Sequence, residues 1–145
     1  MHTGVIHHIE INVSNLNRSE ELWGFLLERL GYEQSEAWAG GKSWRKGQSH
    51  IILVQVRESH RYAGYHRRRI GLSHIAFAVA NLDELNRLKK DLEGRGVPIL
   101  YGDKYPNASG PMHVALYLED SDRMKIELVV SAGDFSGVHS TKPTR

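Results

Sequence analysis

Two histidines head matching strings in this chain, HIEINVSNL at His8 to Leu16 and HIAFAVANL at His74 to Leu82. The strings lie 66 residues apart (74 − 8), carry Val at the same place and close on Asn-Leu. Neutral imidazole is a ligand for zinc, manganese, nickel and ferrous iron, so a histidine at the same point of two repeated halves suits a metal site. The third residue of the set is Glu127, in the run MKIELVV. Ile126 and Leu128 flank it, and a carboxylate wedged between two aliphatics is costly unless it is paired or coordinates a cation. His8, His74 and Glu127 are therefore the candidate ligands of one divalent metal ion, with coordination positions left open for catalysis. Any one of them alone would read as an ordinary strand residue.

Glu10 and Asn12 share a strand face with His8. Glu10 is the nearest candidate for a general base, since proton abstraction beside a metal-bound carbonyl needs a carboxylate within hydrogen-bond reach. Glu10 and Glu127 are the candidate catalytic residues. His113 and Tyr117 alternate with Val114, Leu116 and Leu118, so both are expected to line the same cavity from a strand, and His113 could replace a ligand. His50 at a strand opening and His7 on the helix-facing side are not chosen.

The elements that must position these groups repeat in order. Val5 to Val13 alternates, with Ile9, Ile11 and Val13 on one face and His8, Glu10 and Asn12 on the other, as in a sheet covered by a helix on one side. Asn17 and Glu20 have the spacing of a capping box, and Leu22, Phe25, Leu26 and Leu30 form a helical stripe that stops at Gly31. Strands are expected near Tyr32 to Ala39, Lys42 to Arg45 and His50 to Val56. The second half alternates from Ile70 to Val79, with Ile75, Phe77 and Val79 opposite His74, Ala76 and Ala78. Asn81 and Glu84 cap a helix with Leu82, Leu85, Leu88 and Leu92 inward, and strands follow near Val97 to Tyr101, His113 to Glu119 and Met124 to Val130. Each half is a βαβββ module that cannot bury its apolar face alone. The expected fold is α+β: two βαβββ modules forming a cupped mixed sheet with helices on the outer face. One domain spans residues 1–145, with module one at about 5–56, a linker at 57–70, module two at about 71–130 and a mobile tail at 131–145.

Composition narrows the function. A chain of 145 residues, 40% hydrophobic and 25% charged, is typical of a globular domain. The absence of cysteine removes disulfides, thiolate metal sites and a cysteine nucleophile, and fits a reducing cytoplasm. No apolar run approaches a membrane span, and a net charge of +2 does not call for nucleic acid. Arg57 to Arg69 holds five Arg against one Glu; folded over a cavity, it would attract an anionic substrate such as a carboxylate or phosphonate. AGGKS at Ala39 to Ser43 lacks the earlier Gly of a phosphate loop, since residue 36 is Glu. Trp38, Trp44, Tyr101 and Tyr105 could wall a substrate site or simply pack.

The paired histidine strands, the Asn-Leu helix openings and DSDRMKIEL at Asp120 to Leu128 resemble the vicinal oxygen chelate superfamily, which includes glyoxalase I, fosfomycin and bleomycin resistance proteins and extradiol dioxygenases. The resemblance covers residues 5–130, and it places His8, His74 and Glu127 on the metal-ligand positions. Ser121 and Arg123 depart from the family's Asp-Pro-Asp-Gly turn. Setting the strand near His50 to Val56 against the MKIELV strand puts Ile52 where Glu127 lies, a position at which glyoxalase I carries a glutamate that is both ligand and base. Isoleucine can be neither. The resemblance implies a homodimer, with the metal often shared between the first module of one chain and the second of the other. It also implies a metal that polarises two vicinal oxygens of a small substrate and stabilises an enediolate or oxyanion. The expected function is a glyoxalase-like lyase or isomerase. The alternatives are an extradiol-type dioxygenase, a fosfomycin-type transferase, or a metal-free protein that sequesters a drug-like ligand.

Overall fold

The computed structural model describes residues 3–131, so the tail from 132 onward lies outside the described residues. The chain forms two four-stranded sheets of equivalent order, as two βαβββ modules require. By contacts its described residues divide into two compact units, residues 3–74 with 119–125, and residues 75–118 with 126–131.

In the first unit, β1 (His8–Val13), α1 (Leu16–Arg29), β2 (Glu33–Trp38), β3 (Gly41–Lys46) and β4 (Ser49–Gln55) give a sheet of order β1-β4-β3-β2. β1 and β4 run parallel, with His8 beside His50, Glu10 beside Ile52 and Asn12 beside Val54. β3 is antiparallel to both β4 and β2. Period-2 alternation then separates two faces. Ile11, Val13, Trp44, Ile51 and Leu53 are buried, as are Trp23, Leu26, Leu27 and Leu30 of α1, whereas His8, Glu10 and Asn12 are exposed. Lys46 Nζ donates to the Leu30 carbonyl at 2.6 Å, satisfying an orphan acceptor of the last turn, and Lys42 pairs with Glu20.

Three local expectations change. Asn15, not Asn17, is the N-cap of α1: its backbone is extended (φ −146°) and its Oδ1 accepts the Arg18 N–H at 3.1 Å. The Gln55 amide meanwhile accepts from Leu16 N and donates to the Ser14 carbonyl, which fixes the turn two residues earlier than the capping-box spacing suggests. The buried stripe of α1 runs through Trp23 and Leu27, leaving Leu22 and Phe25 half-buried on its shoulder. Trp23 can be buried because its indole N–H finds Asp120 Oδ2 at 3.0 Å. The linker carries a one-turn helix, α2 (Glu58–Arg61), and its later part closes into a loop in which Tyr65 Oη donates to the Leu72 carbonyl at 2.7 Å.

Residues 119–125 belong with this unit. Asp120 accepts the Asp122 and Met124 N–H groups at 2.8 and 2.9 Å besides the Trp23 indole, Asp122 accepts from both Ser14 N and Ser14 Oγ, and Arg67 pairs with Glu119 at 3.0 Å. Arg123 sits at φ +65°, the left-handed conformation that glycine takes without strain.

The second unit is built from β5 (His74–Val79), α3 (Leu82–Gly94), β6 (Ile99–Leu100), β7 (Ala115–Glu119) and β8 (Lys125–Val130), in order β5-β8-β7-β6. Asn81 caps α3 through its Oδ1 and Glu84 N at 2.9 Å, and Leu85, Leu88 and Leu92 are buried with Ile75, Val79, Leu116, Leu118, Ile126 and Leu128. β6 is shorter than the Val97 to Tyr101 expectation because Pro98 precedes it and Tyr101 turns left-handed (φ 56°). β7 begins at Ala115, two residues after the sequence expectation: His113 N is taken by the Gly110 carbonyl in a turn, so His113 precedes the strand.

Candidate functional site

The exposed face of β1 presents His8, Glu10 and Asn12 in a row, roughly 7 Å apart by strand geometry. His8 leads it, with His7 Nδ1 2.9 Å from its Nδ1 and the His7 ring stacked on that of His50 at 5.2 Å. His7 is thus exposed beside the histidine pair rather than directed under a helix. The Glu10 carboxylate makes no hydrogen bond or ion pair among the described residues. Its register partner Ile52 lies on the same face, between the buried Ile51 and Leu53, just as Glu127 lies between Ile126 and Leu128. Position 52 therefore presents hydrocarbon beside Glu10 on the His8 face.

Glu10, Asn12 and the linker wall a cleft of about 340 Å³, with Tyr65, His66, Arg69 and Leu72 on the linker side and Met124 from the 119–125 segment. The linker does fold over a cavity in this unit. His66 Nδ1 accepts the Arg68 N–H at 3.0 Å, which leaves the ring proton on Nε2, and Arg69 spends only its Nη1 on the Ala63 carbonyl at 3.2 Å. One side of the cleft is acidic and the other basic.

His74 is half-buried at the head of β5, with Ser73 Oγ 3.2 Å from its Nδ1. In the second unit Glu127 is buried, 6% exposed. Its Oε2 lies 3.2 Å from His113 Nε2, and Tyr117 hydrogen-bonds the same carboxylate. Ser109 Oγ is 2.5 Å from Tyr117 Oη, and the Tyr101 ring packs edge-on to Tyr117 at 5.5 Å. Burial raises the Tyr117 phenol above its ordinary value; the hydrogen bond from Ser109 lowers it, and the bond to Glu127 raises it further. The phenol stays protonated and is the donor to Glu127, while Ser109 donates to it.

Among the described residues, no group of three or more His, Asp or Glu side chains is gathered to hold a metal ion. His8 is exposed, His74 half-buried and Glu127 buried, and the three are not such a cluster among the described residues. Sequence reasoning missed Ser109 and the buried Asp120. Asp120 is visible in DSDRMKIEL as the head of the turn, whereas nothing local marks Ser109. Trp44 is core, and Trp38, 47% exposed, lies over Gly41, where a Cβ would come within 2.3 Å of its ring.

The profile of the Glyoxalase/Bleomycin resistance protein/Dioxygenase superfamily matches residues 5–128, and the chain belongs to that superfamily. Its members bind small molecules. The chain is 40% identical over 124 residues to the uncharacterized protein YqjT of Bacillus subtilis (strain 168), covering 86% of this chain and 97% of that one. It is similar to the crystal structure of a glyoxalase candidate from Bacillus halodurans, with 41% identity, a TM-score of 0.87 and coverage of 89% and 97% of the two chains. The fosfomycin resistance protein FosX of Listeria monocytogenes shares the fold, with a TM-score of 0.60 at 19% identity over 90% of this chain and 95% of that one. No described helix is long and apolar enough to cross a membrane.

Proposed function

We propose that the protein is a metal-dependent enzyme of the vicinal oxygen chelate type, a glyoxalase-like lyase or isomerase acting on a small substrate with two adjacent oxygens. The observation that carries this reading is the treatment of Glu127. A buried carboxylate, 6% exposed, is oriented by the Tyr117 phenol and touched by an imidazole, the surroundings of a ligating carboxylate. His8 and His74, at the heads of equivalent strands, supply neutral nitrogens of the kind a divalent zinc, manganese, nickel or iron ion accepts. The donor set fits such an ion. The reading carries with it the homodimer that the resemblance implies, in which donors of two chains share each site.

When bound, the ion would act as a Lewis acid on the two substrate oxygens. Glu10, exposed on the His8 face and with no partner for its carboxylate among the described residues, is the candidate to take or return a proton. Asn12, in the same cleft, can donate to a substrate oxygen, and His66 and Arg69 favour a substrate with an anionic group. Since Ile52 can be neither donor nor base, turnover of the hemithioacetal of methylglyoxal and glutathione should be weak or absent.

The deciding experiment is elemental analysis of untagged protein purified without chelators, together with His8→Ala, His74→Ala and Glu127→Gln. Roughly one divalent ion per site in the wild type, lost in all three variants while their circular dichroism is unchanged, is the expected result. A wild type that binds no divalent ion at neutral pH would overturn the enzyme reading in favour of a sequestering protein of cytoplasmic small molecules.

A further inference from the structure

The first module lacks a donor at Ile52, and the second module has one more than the symmetry of the two halves requires. His113 reaches Glu127 from the turn before β7, its Nε2 3.2 Å from Oε2. We infer that His113 is itself a ligand of the divalent ion, paired with Glu127. This inference rests on the metal-dependent reading above.

Three observations carry it. The first is spacing. Two ligands of a tetrahedral ion with bonds of about 2.0–2.1 Å stand about 3.3 Å apart, and the His113 and Glu127 atoms already face each other at that separation. Little movement would be needed to admit an ion between them.

The second is access. Glu127 is 8% exposed at its side chain and His113 is 40% exposed, so the pair has a closed floor and an open side. Tyr117, itself hydrogen-bonded to Ser109, hydrogen-bonds the carboxylate, the arrangement that orients a ligating carboxylate. The third is the backbone of the turn. His113 N is donated to the Gly110 carbonyl at 3.1 Å, and Ala115 N to the Pro106 carbonyl at 3.0 Å, which pins the residue on either side of its side chain. An imidazole serving only as surface would not need its backbone fixed and its ring turned onto a buried carboxylate.

The test uses the full chain loaded with Co²⁺, whose visible absorption reports coordination and whose affinity is read by competition with a chromophoric chelator. His113→Ala should weaken Co²⁺ binding by about a hundredfold or more and alter the spectrum, at or beyond the upper end of the roughly tenfold to hundredfold loss expected of a mere hydrogen-bond partner to a ligand. His113→Gln, which keeps a polar side chain in the turn, should behave alike. Adding free imidazole to His113→Ala should recover affinity and the wild-type spectrum, because only a missing imidazole ligand is replaced by a new one. Thermal melts establish that each variant is folded, and the His113→Gln comparison stands if His113→Ala is not. If Glu127→Gln and His8→Ala lose Co²⁺ while both His113 variants keep wild-type affinity and spectrum, the role of His113 is overturned and the metal reading survives. If wild-type protein binds no Co²⁺, the metal reading falls and this inference with it.

Discussion

Replacing Asp120 with asparagine changes one atom in the turn between β7 and β8, and the structure predicts the cost. Asp120 is 4% exposed and receives three N–H groups: Asp122 N and Met124 N on Oδ1 at 2.8 and 2.9 Å, and the Trp23 indole on Oδ2 at 3.0 Å. An asparagine keeps the backbone pair on its carbonyl oxygen but sets an NH₂ against the indole N–H, donor facing donor. One buried interaction is lost and one donor is orphaned, at a cost of about 1–3 kcal/mol. Asp120→Ala strands all three donors and should cost about 3–5 kcal/mol. Trp23→Phe removes the conflicting donor, so in the double variant with Asp120→Asn the two losses should sum to less than the singles, with a coupling of about 1–2 kcal/mol. Urea denaturation followed by tryptophan fluorescence and circular dichroism gives all four corners. Burial outweighs the three hydrogen bonds and raises the Asp120 carboxyl above its ordinary 3.8. A raised acid contributes stability that is complete below about 3.8 and is lost as pH rises through the folded value. A protonated Asp120 keeps a lone pair toward the indole and asparagine does not, so the gap between wild type and Asp120→Asn should narrow as pH is raised from that value. An Asp120→Asn protein as stable as wild type, or strictly additive losses in the cycle, would refute the reasoning.

Other consequences are equally direct. Arg123→Gly should stabilise the chain by about 0.5–1 kcal/mol in the same denaturation assay, because φ +65° is free for glycine and the Arg123 to Glu119 contact is long, at 3.7 Å, and exposed at its Arg123 end. Gly41→Ala should cost about 1–3 kcal/mol, since its Cβ would lie 2.9 Å from the Leu53 carbonyl oxygen; removing the overlying Trp38 ring should not restore the loss, because the carbonyl stays. Asn15→Ala should cost about 1 kcal/mol of stability and Asn17→Ala much less, which separates the observed cap from the capping-box alternative by thermal melts.

The repeat and the parity of its strands were legible in the sequence because both are local. Alternation along His8 to Val13 and His74 to Val79 fixes which side chains share a face, and the structure keeps Ile11, Val13, Ile75 and Val79 buried while His8, Glu10 and Asn12 are exposed. The same local rule placed Glu127 between two aliphatics, both buried in the structure, whereas the pairing of Ile52 with Glu10 comes from the parallel register of β1 and β4. The capping of α3 was equally visible, since Asn81 and Glu84 are near neighbours; at α1 the same signal pointed to Asn17, because the Gln55 amide that sets the true start arrives from 39 residues away. Tertiary structure alone decided the partners. Trp23 and Asp120 meet across 97 residues, which turned the α1 stripe and assigned residues 119–125 to the first unit. His113 left its expected strand because a turn captured its N–H, and only that turn brought its ring to Glu127. Periodicity encodes which face a side chain takes, but what it meets there is set by where loops close, and no period in the sequence carries that.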